Sequence, residues 1–98
     1  MTIEKKLGNE SATLIVSGRL DTQTAPELEN ELDSVLSGLK ELTFDFANLE
    51  YVSSAGLRVL LQAQKIMNKQ GEMVVRNVNE TISEIFEVTG FSDVLTIE

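Results

Sequence analysis

Two adjacent hydroxyls, Ser53 and Ser54, stand directly before Ala55-Gly56 and a stretch of helical periodicity. The 98-residue chain has no histidine and no cysteine, so a nucleophilic serine would have to borrow a lysine or a carboxylate as its base. The chemistry this pair suits better is that of an acceptor. A hydroxyl at a helix N-terminus lies where unpaired backbone N–H groups and the positive end of the macrodipole favour an added phosphate. The same position suits a plain structural role, because serine is among the best N-cap residues, and Ser54 reads as the cap of the helix it opens. Gly56 adds little bulk, which leaves the first turn open to close approach.

Composition narrows the remaining options. Eight basic against sixteen acidic residues give a net charge of -8, the wrong sign for a nucleic-acid backbone or an anionic membrane surface. Without thiols or imidazoles a metal would have only carboxylates, so neither a metal nor another cofactor is expected. No apolar run approaches the length of a spanning helix and no leader is evident at the N-terminus, which points to the cytosol. A hydrophobic share of 42% with 24% charged residues is that of one ordinary globular domain over residues 1–98.

The elements that must position the serines follow from periodicity. Thr2 to Leu7 alternates as an edge strand, Gly8-Asn9-Glu10 supplies a turn, and Ala12 to Val16 is an apolar run suited to a strand covered on both faces. Gly18 to Thr24 reads as a loop that delivers Asp21 and Thr22. Thr24 with Glu27 fits a capping box, Pro26 is tolerated in the first turn, and Leu28, Leu32, Val35 and Leu36 form the buried face of a helix stopped near Gly38. Glu27, Glu29, Glu31 and Asp33 lie on its wet face. Glu41 to Ala47 is a strand carrying Leu42, Phe44 and Phe46 on one side. The helix from Ser54 follows, with Leu57, Leu60, Ala63 and Met67 on one stripe and Arg58, Gln62, Lys65 and Lys69 on the other, and Gly71 closes it. A strand at Met73 to Val75, a helix at Asn79 to Val88 ended by Gly90, and a short strand at Val94 to Ile97 complete the chain.

This order predicts an α/β fold: a mixed, mainly parallel sheet of four to five strands with about three helices, packed chiefly on one face. The first strand is the antiparallel exception. The expected core is Leu14, Val16, Leu28, Leu32, Phe44, Phe46, Leu60, Met67, Val74, Ile85 and Phe86. Loops leaving the carboxyl ends of parallel strands share one edge, where partners and ligands usually bind. The Asp21 loop, leaving the second strand, and the Ser54 loop, leaving the third, are therefore expected to meet.

Three segments together resemble the STAS domain family, and within it the single-domain anti-sigma factor antagonists: Gly18-Arg19-Leu20-Asp21 with Thr22, Ala25, Pro26 and Leu28; Ser53-Ser54-Ala55-Gly56-Leu57; and Val88-Thr89-Gly90-Phe91. The resemblance spans most of the chain and implies a STAS fold. It also implies that Ser54 is a phosphorylation site with Asp21 beside it, and that the partner is an anti-sigma factor that is also the serine kinase. A separate serine phosphatase would restore the binding form, and release of the sigma factor would switch on transcription. In the family an acid usually precedes the acceptor; here that residue is Ser53, which makes Ser53 an alternative acceptor.

Asp21, Thr22, Ser53, Ser54, Ala55, Gly56, Leu57, Arg58 and Gln62 are the expected partner-binding residues, Leu57 being equally suited to the core. Asp21 has a second reading, in which it holds its own loop by bonding nearby backbone. The competing function is a STAS-like binding module that is never phosphorylated, as a subunit of a sensor or transport assembly or a receptor for a nucleotide or lipid. No Walker-type glycine loop is present.

Overall fold

The computed structural model describes residues 1–98. The chain runs β1 (Thr2–Leu7), β2 (Ser11–Leu20), α1 (Ala25–Val35), β3 (Glu41–Asp45), β4 (Leu49–Val52), α2 (Ser54–Gln70), β5 (Glu72–Arg76) and α3 (Glu80–Val88), followed by a 3₁₀ turn at Phe91–Asp93. The sheet has the order β1-β2-β3-β5, with β4 added on β2. β1 pairs antiparallel with β2 and every other pairing is parallel, as expected of strands joined by helical crossovers.

Along β2, buried Ala12, Leu14 and Val16 alternate with half-buried Ser11, Thr13, Ile15 and Ser17. That is a strand covered on one face, not on both as its apolar run suggested. The buried side chains of β2, β3 and β5 (Leu14, Leu42, Phe44, Met73 and Val75 among them) meet Leu28 and Leu32 of α1, Leu60, Ala63 and Met67 of α2, and Phe86 of α3 in one core. Phe44 and Phe46 pack with ring centroids 5.6 Å apart. Nine of the eleven expected core residues are buried. Val74 and Ile85 are half-exposed, and their neighbours Val75 and Ile82 take the core positions. In a run such as Met73-Val74-Val75 the residue types do not say which parity faces inward; the register of β5 on β3, Phe44 against Val75, does.

Three element boundaries differ from the sequence reading. β2 continues to Leu20 instead of ending near Val16, and β3 stops at Asp45. After a turn the chain returns as β4, which runs parallel to the end of β2, pairing Gly18 with Leu49, Arg19 with Tyr51 and Leu20 with Val52. One step along β2 thus matches two along β4, a bulge that leaves Glu50 unmatched. The bulge breaks the period-2 pattern and turns both Leu49 and Val52 inward, which is why this strand looks like loop in the sequence. The third difference is at the C-terminus, where Val94–Ile97 is no strand of its own; only a single bridge joins Ile97 to Val75.

Two side chains lock helices to the sheet. Gln70, at the end of α2, donates through Nε2 to the carbonyls of Leu36 (2.6 Å) and Leu39 (2.8 Å) in the connection to β3. Asn79 caps α3 by accepting from the Ile82 N–H at 3.0 Å and donates to the Leu49 carbonyl at 2.7 Å.

Candidate functional site

The serine pair is placed by β4. The Ser53 N–H donates to the Leu20 carbonyl at 2.8 Å, which continues the β2–β4 pairing into the first residue before α2. Ser53, not Ser54, is the N-cap. Its backbone is extended (φ -94°, ψ 176°), its Oγ accepts from the Gly56 N–H at 3.4 Å, and its carbonyl accepts from Leu57 at 2.9 Å. Ser54 is the first residue inside the helix, and its side chain is exposed without a hydrogen-bonding partner. The sequence placed the cap one residue late because either serine suits it; the extended backbone imposed by β4 decides for Ser53. The division of labour leaves the Ser54 hydroxyl free.

Gly56 also has a different role from the one its size suggested. It is buried, and a Cβ built on it would lie 2.7 Å from Leu20 Cγ and 2.9 Å from Val52 Cγ2. The close approach it permits is that of β2 and β4 to the helix, not of a visiting molecule. Leu57 is 6% exposed and belongs to the core, not to the contact surface expected of it: at this turn the stripe facing the sheet is Gly56, Leu57 and Leu60. Arg58 and Gln62 face solvent.

The Asp21 loop meets this turn, as expected, although β4 and not β3 carries the serines to it. Asp21 Oδ1 accepts from the backbone N–H groups of Gln23 (3.0 Å) and Thr24 (3.1 Å). Thr24 Oγ1 accepts from the Asp21 N–H at 2.8 Å, and its single proton has three acceptors within reach, the Arg19 carbonyl at 2.8 Å, Asp21 Oδ1 at 3.1 Å and the Asp21 carbonyl at 3.5 Å. The Thr24 hydroxyl is thereby turned back into the loop, so no capping box with Glu27 forms. These bonds, the Thr24 N–H foremost, hold the Asp21 carboxyl below its ordinary pKa against the opposing effect of partial burial, with Arg19 Nε 3.9 Å from Oδ2 a smaller contribution. Asp21 holds its own loop.

Between α1 and α2 this arrangement leaves a cleft of about 150 Å³. Thr22, Ala25, Pro26 and Glu29 form one wall, and Ala55, Arg58 and Val59 the other. Ala25, Pro26, Glu29 and Val59 were not among the expected site residues; Ala25, Pro26 and Val59 look like ordinary helix positions, and only the packing of the two helices reveals their shared surface. The sequence reading also missed Arg19 as a neighbour of the site. Its guanidinium lies over the Tyr51 ring, 4.5 Å from the centroid, a pairing created by the β2–β4 register. No group of three or more acidic side chains converges on a metal-sized site, and no helix is long and apolar enough to cross a membrane.

The family model described as Mlab, STAS domain, matches residues 3–96. The chain belongs to the STAS domain family. Among curated relatives, this STAS domain is 35% identical over 99% of its length to a Bordetella bronchiseptica protein assigned as an anti-sigma factor antagonist, BtrV, 84% of which is covered. It is 30% identical over 96% of its length to the anti-sigma-B factor antagonist of Listeria monocytogenes, again with 84% of that protein covered. Its fold is shared with the Bacillus anti-sigma factor antagonist SpoIIAA, solved unphosphorylated (TM-score 0.77, 13% identity, 99% of this chain and 87% of that one). The phosphorylated form of SpoIIAA matches equally well (TM-score 0.76, 14% identity, 99% and 91% covered).

Proposed function

We propose that this STAS domain is an anti-sigma factor antagonist switched by a phosphate on Ser54. In its unmodified state the face made by Ser54, the cleft beside it and the exposed Arg58 and Gln62 binds an anti-sigma factor that is also a serine kinase, which frees a sigma factor. The kinase transfers phosphate to Ser54 and loses its ligand; a serine phosphatase reverses the step in the cytoplasm. The domain itself contributes a binding surface and an acceptor hydroxyl, not a catalytic group.

The observation that carries the reading is the free Ser54 hydroxyl at the first turn of α2, relieved of capping by Ser53 and next in the chain to Ala55, which lines the cleft. A phosphoserine adds about -1.5 to -2 charges at pH 7. At a helix N-terminus that charge is compatible with the fold, whereas a partner that must desolvate it loses affinity, and about 4 kcal/mol already amounts to a thousandfold. That SpoIIAA keeps the same fold with and without phosphate supports a switch of surface charge in this shared scaffold. Listeria and Bordetella relatives bearing the antagonist name support the class of partner.

The test is incubation with ATP and the serine-kinase anti-sigma factor of the same cell, followed by intact-mass measurement and peptide mapping. A single phosphate on Ser54 is the expected result. Phosphate on Ser53 would move the switch by one residue and disturb the cap, and no phosphate at either serine would leave a binding module that is not switched in this way.

A further inference from the structure

Of the three arginines, two are already engaged. Arg76 Nε lies 3.3 Å from Glu98 Oε1, and the Arg19 guanidinium lies 4.5 Å from the Tyr51 ring centroid with its Nε 3.9 Å from Asp21 Oδ2. Arg58 has no carboxylate within 4.0 Å, in a chain with twice as many acids as bases. It is exposed, yet it does not stand apart from the fold: it lines the cleft together with Ala55, one turn back on α2, and Thr22 of the Asp21 loop. Glu29 lines the same cleft without pairing to it.

Side chains on a helix lean toward its N-terminus, and residues four apart have Cβ atoms about 5–6 Å from each other. Arg58 is the fourth residue after Ser54. We infer that Arg58 is the intramolecular counter-ion of a phosphate on Ser54, so that modification both adds negative charge and withdraws the cleft's one unpaired cation. This deepens the proposed switch and rests on Ser54 being the modified residue. A guanidinium can meet two phosphate oxygens at once, and a dianion one helical turn away is a stronger claimant than the single carboxylate of Glu29 across the cleft. The effect on a partner is then larger than that of the phosphate charge alone, because the surface loses a donor group as it gains a repelling one.

The experiment separates this inference from the switch itself by installing phosphoserine at position 54 through genetic encoding, so that no kinase is needed. The second ionisation of the phosphate is followed by ³¹P NMR in the otherwise wild-type chain and in Arg58→Gln and Arg58→Lys. A neighbouring cation favours the dianion, so the apparent pKa is expected to be lower with Arg58 than with Gln by about half a unit, with Lys in between. Without any substitution at 58, the Arg58 Nε–H resonance is expected to move with the same midpoint, while those of Arg19 and Arg76 stay still. Identical phosphate titrations with Arg58 and Gln, or an Arg58 resonance indifferent to the phosphate, would overturn the inference even where the kinase modifies Ser54.

Discussion

The Ser53 N–H donates to the Leu20 carbonyl at 2.8 Å, and this one bond sets the geometry of the whole edge. Asp21 is the residue after Leu20 and Ser54 the residue after Ser53, so the loop leaving β2 and the helix leaving β4 begin side by side. Ser53 is spent on backbone, through that bond and through the cap it provides to Gly56.

Stability should therefore respond to the two serines unequally. Ser53→Ala removes the N-cap and is expected to cost about 0.5–1 kcal/mol, toward the lower part of the usual range because the bond to Gly56 is long at 3.4 Å. Ser54→Ala is expected to change stability by less than about 0.5 kcal/mol, as for other exposed substitutions without partners. Urea denaturation of both variants measures the difference; a larger loss from Ser54→Ala would contradict the assignment of the cap.

Gly56→Ala sets helix propensity against packing. Alanine gains about 1 kcal/mol over glycine inside a helix. Its Cβ, however, would stand 2.7 Å from Leu20 Cγ and 2.9 Å from Val52 Cγ2, and overpacking of this kind costs about 1–3 kcal/mol. The contact is expected to win, giving a net loss of about 1 kcal/mol by urea or thermal unfolding. A stabilised variant would mean that β2, β4 and α2 have room to separate.

Asn79→Ala reports on the strand that the sequence concealed. It removes the cap on Ile82 and the bond to the Leu49 carbonyl together, for an expected loss of about 1–3 kcal/mol. Amide exchange should quicken in β4 as well as in the first turn of α3; faster exchange in α3 alone would show that Asn79 does not anchor β4.

The Asp21 carboxyl, held below its ordinary pKa chiefly by the Thr24 N–H, makes stability depend on pH in one direction. In the window between the ordinary aspartate value, about 4, and the lowered folded value, the unfolded chain binds more protons than the folded one. The contribution is complete above that window and is lost as pH falls through it. Asp21→Asn is expected to flatten the acid side of the stability curve, measured by urea midpoints from pH 6 downward. An unchanged slope would mean that the loop bonds do not distinguish carboxylate from acid.

Much of this fold is legible because its strong elements carry uninterrupted periodicity. Leu57, Leu60, Ala63 and Met67 announce α2, and Leu42, Phe44 and Phe46 announce β3. What the residues hide is produced by pairing: the bulge opposite Gly18–Arg19 erases the alternation of β4, and the choice between Val74 and Val75 belongs to the β3–β5 register. The site divides the same way. Ser54, Arg58 and Asp21 stand out by type and position, whereas the roles of Ser53 as cap and of Gly56 as a contact for Leu20 and Val52 depend on where β4 lies. The cleft wall formed by Ala25, Pro26 and Val59 arises only when the two helices meet.

Phosphate on Ser54 is expected to abolish partner binding without unfolding the domain. The measurement is calorimetric titration of the proposed partner, an anti-sigma factor with serine-kinase activity, with unmodified protein and with protein carrying phosphoserine at 54, in the same buffer and with folding checked by circular dichroism. The predicted result is a loss of affinity of about a hundredfold or more, some 3 kcal/mol, between two equally folded proteins. Equal affinity of the two forms for that partner would contradict it.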